Sequence, residues 1–163
     1  MPTIELRALA DNAADIDLGQ ELVREYVVAT AEEQGGDVEE ILPYIPDWHD
    51  FAGRFLRSGG RFVVATVDGE IAGCVGVTRL GGELCEMNRL WVREPYRRFG
   101  LGRTLAEASM AEGRRLGFRR MILDVLASRT NAIALYESLG FTEVPPIHSY
   151  AFDFDMVFLG RDI

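Results

Sequence analysis

The chain has 163 residues, 48% of them apolar, the size of one domain with a sizeable core. No run of about 18 apolar residues occurs, so no membrane-spanning helix is expected, and a net charge of −9 argues against a general nucleic-acid binder. All 17 basic side chains are arginine, which removes lysine-dependent P-loop NTPase and Schiff-base chemistry.

The opening stretch MPTIELRALADNAAD lacks a basic segment followed by an apolar one, so no signal peptide and a cytoplasmic location are expected. Residues 3–9 read as a short strand. Ile16, Leu18, Leu22, Val23, Tyr26, Val27 and Thr30 recur at helical spacing and predict a helix over 15–33, stopped by Gly35-Gly36. Residues 37–46 read as an acidic, proline-containing loop, and 47–58 as a helix carrying Trp48, Phe51, Phe55 and Leu56 on one side.

RFVVATV and EIAGCVGVTRL flank Asp68-Gly69, a strong hairpin signal. Gly81-Gly82 turns the chain into ELCEMNRLWV, so three consecutive antiparallel strands are predicted. Leu101, Leu105, Ala108, Ala111 and Leu116 predict a helix from about Gly100 to Gly117. A buried strand at 119–127, a helix at 130–140 and strands at 141–144 and 149–160 complete the chain. The order β-α-α-β-β-β-α-β-α-β-β defines a single α/β domain, residues 1–163, on a mixed sheet. Cys74 and Cys85 lie in strands without metal-ligand spacing and read as buried reduced thiols. His49 and His148 stand apart, so no metal site is expected.

Charge is unevenly spread. Residues 1–50 hold 13 acidic residues and two arginines, a net of −11, whereas 89–129 hold ten arginines against four acidic residues. In that basic segment Arg97-x-x-Gly100-x-Gly102 follows a strand and opens a helix. Backbone N–H groups converge at such a junction and the helix dipole adds positive charge, so the turn predicts a phosphate site. Glycine admits close approach of the anion, and Arg97, Arg98 and Arg103 add charge. A dinucleotide GxGxxG fails at its third glycine, where Leu105 stands. A basic helix start with flexible glycines is the bland alternative.

The turn Arg97 to Gly102 after Leu90-Trp91-Val92 resembles the acyl-CoA signature of the GNAT superfamily of N-acetyltransferases. AIALYESLGF, residues 132–141, resembles that family's second signature, one helix and one strand later. The resemblance covers residues 3 to about 159. It implies acetyl-CoA as co-substrate, held by Arg97, Arg98, Phe99, Gly100, Leu101, Gly102 and Arg103 at the pyrophosphate. It also implies splayed central strands, with Leu90, Trp91 and Val92 lining a wedge for the pantetheine arm. Tyr136 matches the general acid. Glu86 matches the base of several members, and Asp124 matches the position others use; each carboxylate has the plain alternative of a structural partner to arginine. Unbroken alternation would put Glu86, Asn88, Leu90 and Val92 on one face of the strand, with main-chain N–H near Trp91 and Val92 as oxyanion donors. Two departures stand out. Arg129 occupies the place of a cofactor-contacting asparagine, leaving either Asn131 or Arg129 itself in that role, and Arg98 stands where glycine is frequent.

For the acceptor, Tyr44, Trp48, His49, Phe51, His148 and Tyr150, with Asp47 and Asp50, suit a cationic amine: a small amine, an amino acid or a peptide N-terminus. An ordinary acidic helix face over an aromatic core is the alternative. A non-catalytic acyl-CoA-binding module or sensor competes with the enzyme reading, and a nucleotide-binding oxidoreductase is a third class. No nucleic-acid or membrane partner is expected. Phe152, Phe154, Met156 and Phe158 read as core or as the edge of a homodimer.

Overall fold

The computed structural model describes residues 1–150 and 154–163. Alternating apolar residues build a seven-stranded sheet from β1 (Ile4–Ala8), β2 (Arg61–Val67), β3 (Glu70–Gly81), β4 (Leu84–Val92), β5 (Arg120–Leu126), β6 (Thr142–Glu143) and β7 (Met156–Asp162). The spatial order is β1-β2-β3-β4-β5-β7-β6. β4 and β5 are parallel and every other neighbouring pair is antiparallel. The β2–β3 hairpin turns at Asp68 and Gly69, both at positive φ as a two-residue turn of this hand requires.

Period-two alternation sorts the strands' side chains to two faces. Val63, Val75, Val77, Met87 and Leu123 face α5 (Leu101–Arg115) and bury Leu101 and Leu105. Phe62, Val64 and Cys74 face α1 (Ala13–Glu33) and pack on Leu22, Val23, Val27, Phe51 and Phe55. Asn12 caps α1, its side-chain oxygen accepting from Asp15 N at 2.9 Å. α6 (Thr130–Ser138) ends with Gly140 N donating to Glu137 O and Phe141 N to Tyr136 O, which seats Phe141 against the Tyr136 ring. Cys74 and Cys85 are free and buried; burial pushes both thiols up, Cys85 to about 12.

Three expected boundaries shift. The acidic loop at 37–46 contains α2 (Val38–Ile41), whose cap Asp37 accepts from Glu39 N, and a 3-10 turn at Leu42–Tyr44. The single helix at 47–58 is two short ones, α3 (Pro46–His49) and α4 (Phe51–Phe55). The chain breaks at Asp50, which turns its carboxylate to Gly53 N at 2.9 Å and restarts the helix as a new cap. The last strand starts at Met156 rather than 149, because its partner ends there: Met156 pairs with Leu126, the last residue of β5, and Ala127 N donates to Asp155 O. Phe152 lies outside the described residues, whereas Phe154 and Met156 line a pocket on the α1 side. No helix among the described residues is long and apolar enough to cross a membrane.

Candidate active site

β4 and β5 are joined at one end only. Their parallel register covers Leu84 with Arg120, Cys85 with Met121 and Glu86 with Ile122, and stops there. The cause is a bulge in β4. Cys74 pairs with Trp91 but Gly76 with Asn88, so one extra residue is inserted, and Arg89 takes a φ of +56°. A buried ion pair holds this conformation: the Arg89 guanidinium donates to both carboxylate oxygens of Asp47, at 2.7 and 2.9 Å, and Asp47 is fully buried. Gly73 permits the bent end to close on β3, since a Cβ there would sit 2.6 Å from Trp91 O.

The bulge reverses the alternation. Leu90 and Val92 pack on the α5 side and Trp91 on the α1 side, so the expected shared face of Glu86, Asn88, Leu90 and Val92 ends at Asn88. Arg93 N donates to Ala72 O, so the peptide of Val92, one residue earlier, points away from β3 into the gap.

A groove of about 750 Å³ fills the wedge between the parted strands. At one end lies the start of α5. Gly100 caps it at φ +70°, with open space around its α-carbon and no side-chain cap. Among the described residues the amides of Arg98, Gly100, Leu101, Gly102 and Arg103 have no hydrogen-bond acceptor, whereas Thr104 N donates to Gly100 O. Unmet N–H groups at a helix N-terminus form an anion cradle.

Leu90, Trp91, Val92, Arg97, Gly102 and Asn131 line the groove. Arg97 folds onto β4, its Nε donating to Val92 O at 2.9 Å and its guanidinium 5.0 Å from the Trp91 ring. Arg98 and Phe99 are exposed, and Arg98 makes no ion pair among the described residues. Leu101 is buried in the core beside the cradle. Arg103 donates to Ser138 Oγ at 2.7 Å. Arg129 lines the groove but spends its guanidinium on α1, donating to Glu33 Oε2 at 2.8 Å and Thr30 Oγ1 at 2.9 Å, while exposed Asn131 faces the groove.

A second cavity, about 420 Å³, opens on the α1 side between β4, β5, α4 and residues 148–150. Tyr26, Asn88, Arg89 and Asp124 line both cavities, so the two meet at these four side chains. Arg89 is committed to Asp47, and the Tyr26 ring lies between the Arg89 and Arg129 guanidiniums, 5.5 Å from each. Asn88 donates to Thr78 Oγ1 at 2.6 Å. Asp124 is the acid at the junction, and burial pushes its carboxyl up.

Glu86 lines the second cavity alone, 2% exposed, with Oε2 2.7 Å from His148 Nε2. Burial first, and then the charge of Asp124, push its carboxyl up, against the pull of His148. Tyr136 lines the groove; burial raises its phenol, so it stays protonated at neutral pH. No hydrogen bond to its hydroxyl exists among the described residues.

Of the residues expected at the acceptor side, Tyr44, His148 and Tyr150 line this cavity. Phe51 is core, Trp48 stacks under Arg24 at 5.4 Å, Asp47 holds Arg89, Asp50 caps α4, and exposed His49 bonds Leu42 O. Sequence reasoning missed Arg89, Tyr26 and Arg54. For Arg89 a signal existed: an arginine at a core-facing position of an apolar strand implies a bulge or a buried partner.

The chain matches the Acetyltransferase (GNAT) family over residues 18–141. It is 28% identical over 146 residues to the uncharacterized N-acetyltransferase YjgM of Escherichia coli (strain K12), covering 88% of this chain and 83% of that protein. It is 32% identical over 131 residues to the N-alpha-acetyltransferase of Sulfurisphaera tokodaii, covering 72% of this chain and 78% of that one. A GNAT family acetyltransferase from Elizabethkingia anophelis, solved with acetyl-CoA bound, shares the fold with a TM-score of 0.64 at 16% identity over 98% of both chains. The chain belongs to the GNAT acetyltransferase family. It is an N-acetyltransferase whose co-substrate is acetyl-CoA.

Proposed function

We propose that the protein acetylates a primary amine that enters through the 420 Å³ cavity and meets the acetyl group at Asp124. The observation that carries this reading is the junction itself: Asp124 is the titratable acid common to the groove and the cavity. The free amides at Arg98 and Gly100–Arg103 suit the pyrophosphate, and Leu90, Trp91 and Val92 suit the arm between the strands. Acetyl-CoA supplies an activated thioester carbonyl when bound.

The residues of this chain account for the proton movements. Asp124 takes the proton of the incoming ammonium, a transfer helped by a carboxyl raised by burial. Glu86, buried and electrostatically tied to Asp124, passes it to His148, whose side chain is 33% exposed and opens to solvent. The outward N–H of Val92 donates to the thioester carbonyl oxygen as it gains charge. Tyr136, protonated and without a competing partner, gives its phenolic proton to the departing sulfur. As the C–N bond forms and the C–S bond breaks, the nitrogen gives up a second proton, which restores the Tyr136 phenol, so the amide and the thiol both leave neutral.

The α-amine reading draws support from the Sulfurisphaera relative, named an N-alpha-acetyltransferase. A screen of amines, amino acids, peptides, sugars and alcohols with acetyl-CoA, read by release of free thiol, tests the proposal. Turnover of primary amines is expected; turnover of hydroxyl acceptors alone would refute it.

A further inference from the structure

The second cavity contains an arginine that the mechanism does not use. Arg54, on α4, lines it, and its Nε is sealed from solvent with no hydrogen-bond partner. Among the described residues its guanidinium joins no ion pair. Arg61 Nε also lacks a hydrogen bond, but it lies 3.3 Å from a Glu112 carboxylate oxygen. The carboxylates around Arg54 are otherwise engaged: Asp47 by Arg89, Asp50 by Gly53 N and Glu86 by His148. Asp124 lines the same cavity and is not bonded to Arg54 either. Arg54 lies 5.9 Å over the Phe55 ring and its charge acts on Asp47, Glu86 and Asp124, but among the described residues no carboxylate bonds it, and a half-buried guanidinium without a bonded anion calls for an explanation.

A cavity that presents a guanidinium and a carboxylate, each without an ion-pair partner among the described residues, complements a zwitterion. We propose that the acceptor is a small primary amine bearing its own carboxylate, foremost a free α-amino acid, with the carboxylate held by Arg54 and the amine at Asp124. Arg54 matches a carboxylate bidentately. The remaining wall, with Ile41, Ile45, Leu126 and Met156, favours an apolar side chain, and about 420 Å³ suits one amino acid rather than a folded peptide end. This inference rests on the reading of the cavity as the acceptor site.

The test compares L-leucine, L-leucinamide and 3-methylbutylamine as acceptors for the wild type, Arg54→Gln and Arg54→Ala, with L-leucine binding measured by calorimetry in the presence of CoA. The wild type should prefer leucine by at least about tenfold in kcat/KM, about 1.4 kcal/mol. Both variants should erase that preference through loss on leucine. Leucinamide or the amine preferred by the wild type would overturn the inference. So would an equal loss on all three acceptors, which marks Arg54 as a counter-ion to the acidic pair. If no amine of a broad panel is turned over, the proposed acceptor chemistry fails instead. The carboxylate site then stands or falls on calorimetry: leucine binding abolished by Arg54→Gln supports it, and no binding to the wild type refutes it.

Discussion

His148 Nε2 lies 2.7 Å from Glu86 Oε2, a contact between residues 62 apart that joins two walls of the second cavity. His148 pulls the Glu86 carboxyl down while burial and Asp124 push it up. The proposed proton path requires Asp124 and Glu86 as carboxylates, so kcat/KM should rise with pH along a limb above the ordinary carboxylate range. His148→Ala removes the downward pull, and the limb should move to higher pH. A pH–rate profile of both proteins checks this; a limb that stays in place would remove Glu86 from the proton path.

In the proposed mechanism Tyr136 donates its proton, from a phenol that burial raises. Tyr136→Phe keeps the ring packed on Phe141 and removes the proton. Turnover should fall roughly 10²-fold, with CoA affinity by calorimetry nearly unchanged. Intact turnover would show that another group, or water, protonates the sulfur.

The Arg89–Asp47 pair holds the bulge that parts β4 from β5. Asp47→Ala leaves a buried guanidinium without its partner and should destabilise the fold by about 3–5 kcal/mol in urea titrations. Burial works against the Asp47 charge, but the Arg89 hydrogen bonds prevail and hold its carboxyl below the ordinary value. A lowered carboxylate adds stability above its unfolded pKa of about 4, and that contribution is lost as pH falls through the folded value. Asp47→Asn should therefore show a shallower loss of stability in acid than the wild type.

A Cβ at Gly102 would approach Leu135 Cδ2 to 3.3 Å at the lip of the groove. Gly102→Val should weaken CoA binding by about tenfold or more, about 1.4 kcal/mol, with a smaller effect on the melting temperature. Gly100→Ala acts differently: the space is open, but the left-handed backbone costs roughly 1–2 kcal/mol, so stability should fall.

The strands and the long helix were legible because period two and period 3.6 show in the residues themselves: Phe62 and Val64 to one face, Leu101 and Leu105 to one stripe. The Gly-rich turn was legible for the same reason, since its chemistry is local backbone. The bulge at Arg89 was not, because it depends on Asp47, held by a helix that the sequence predicted as continuous through Asp50. The reach of Arg129 to Glu33 and of His148 to Glu86 are likewise contacts between segments 96 and 62 residues apart. No local pattern reports them. Arg54 belonged to an expected helix, and only the assembled cavity shows that, among the described residues, no carboxylate bonds it.

Amide hydrogen exchange with and without CoA tests most directly whether the α5 cradle and the β4–β5 wedge hold the co-substrate. Slowed exchange at Arg98 and Gly100–Arg103, together with residues 90–92 on the open edge of β4, is the predicted result. Protection confined to other segments, or none at these amides under saturating CoA, would contradict it.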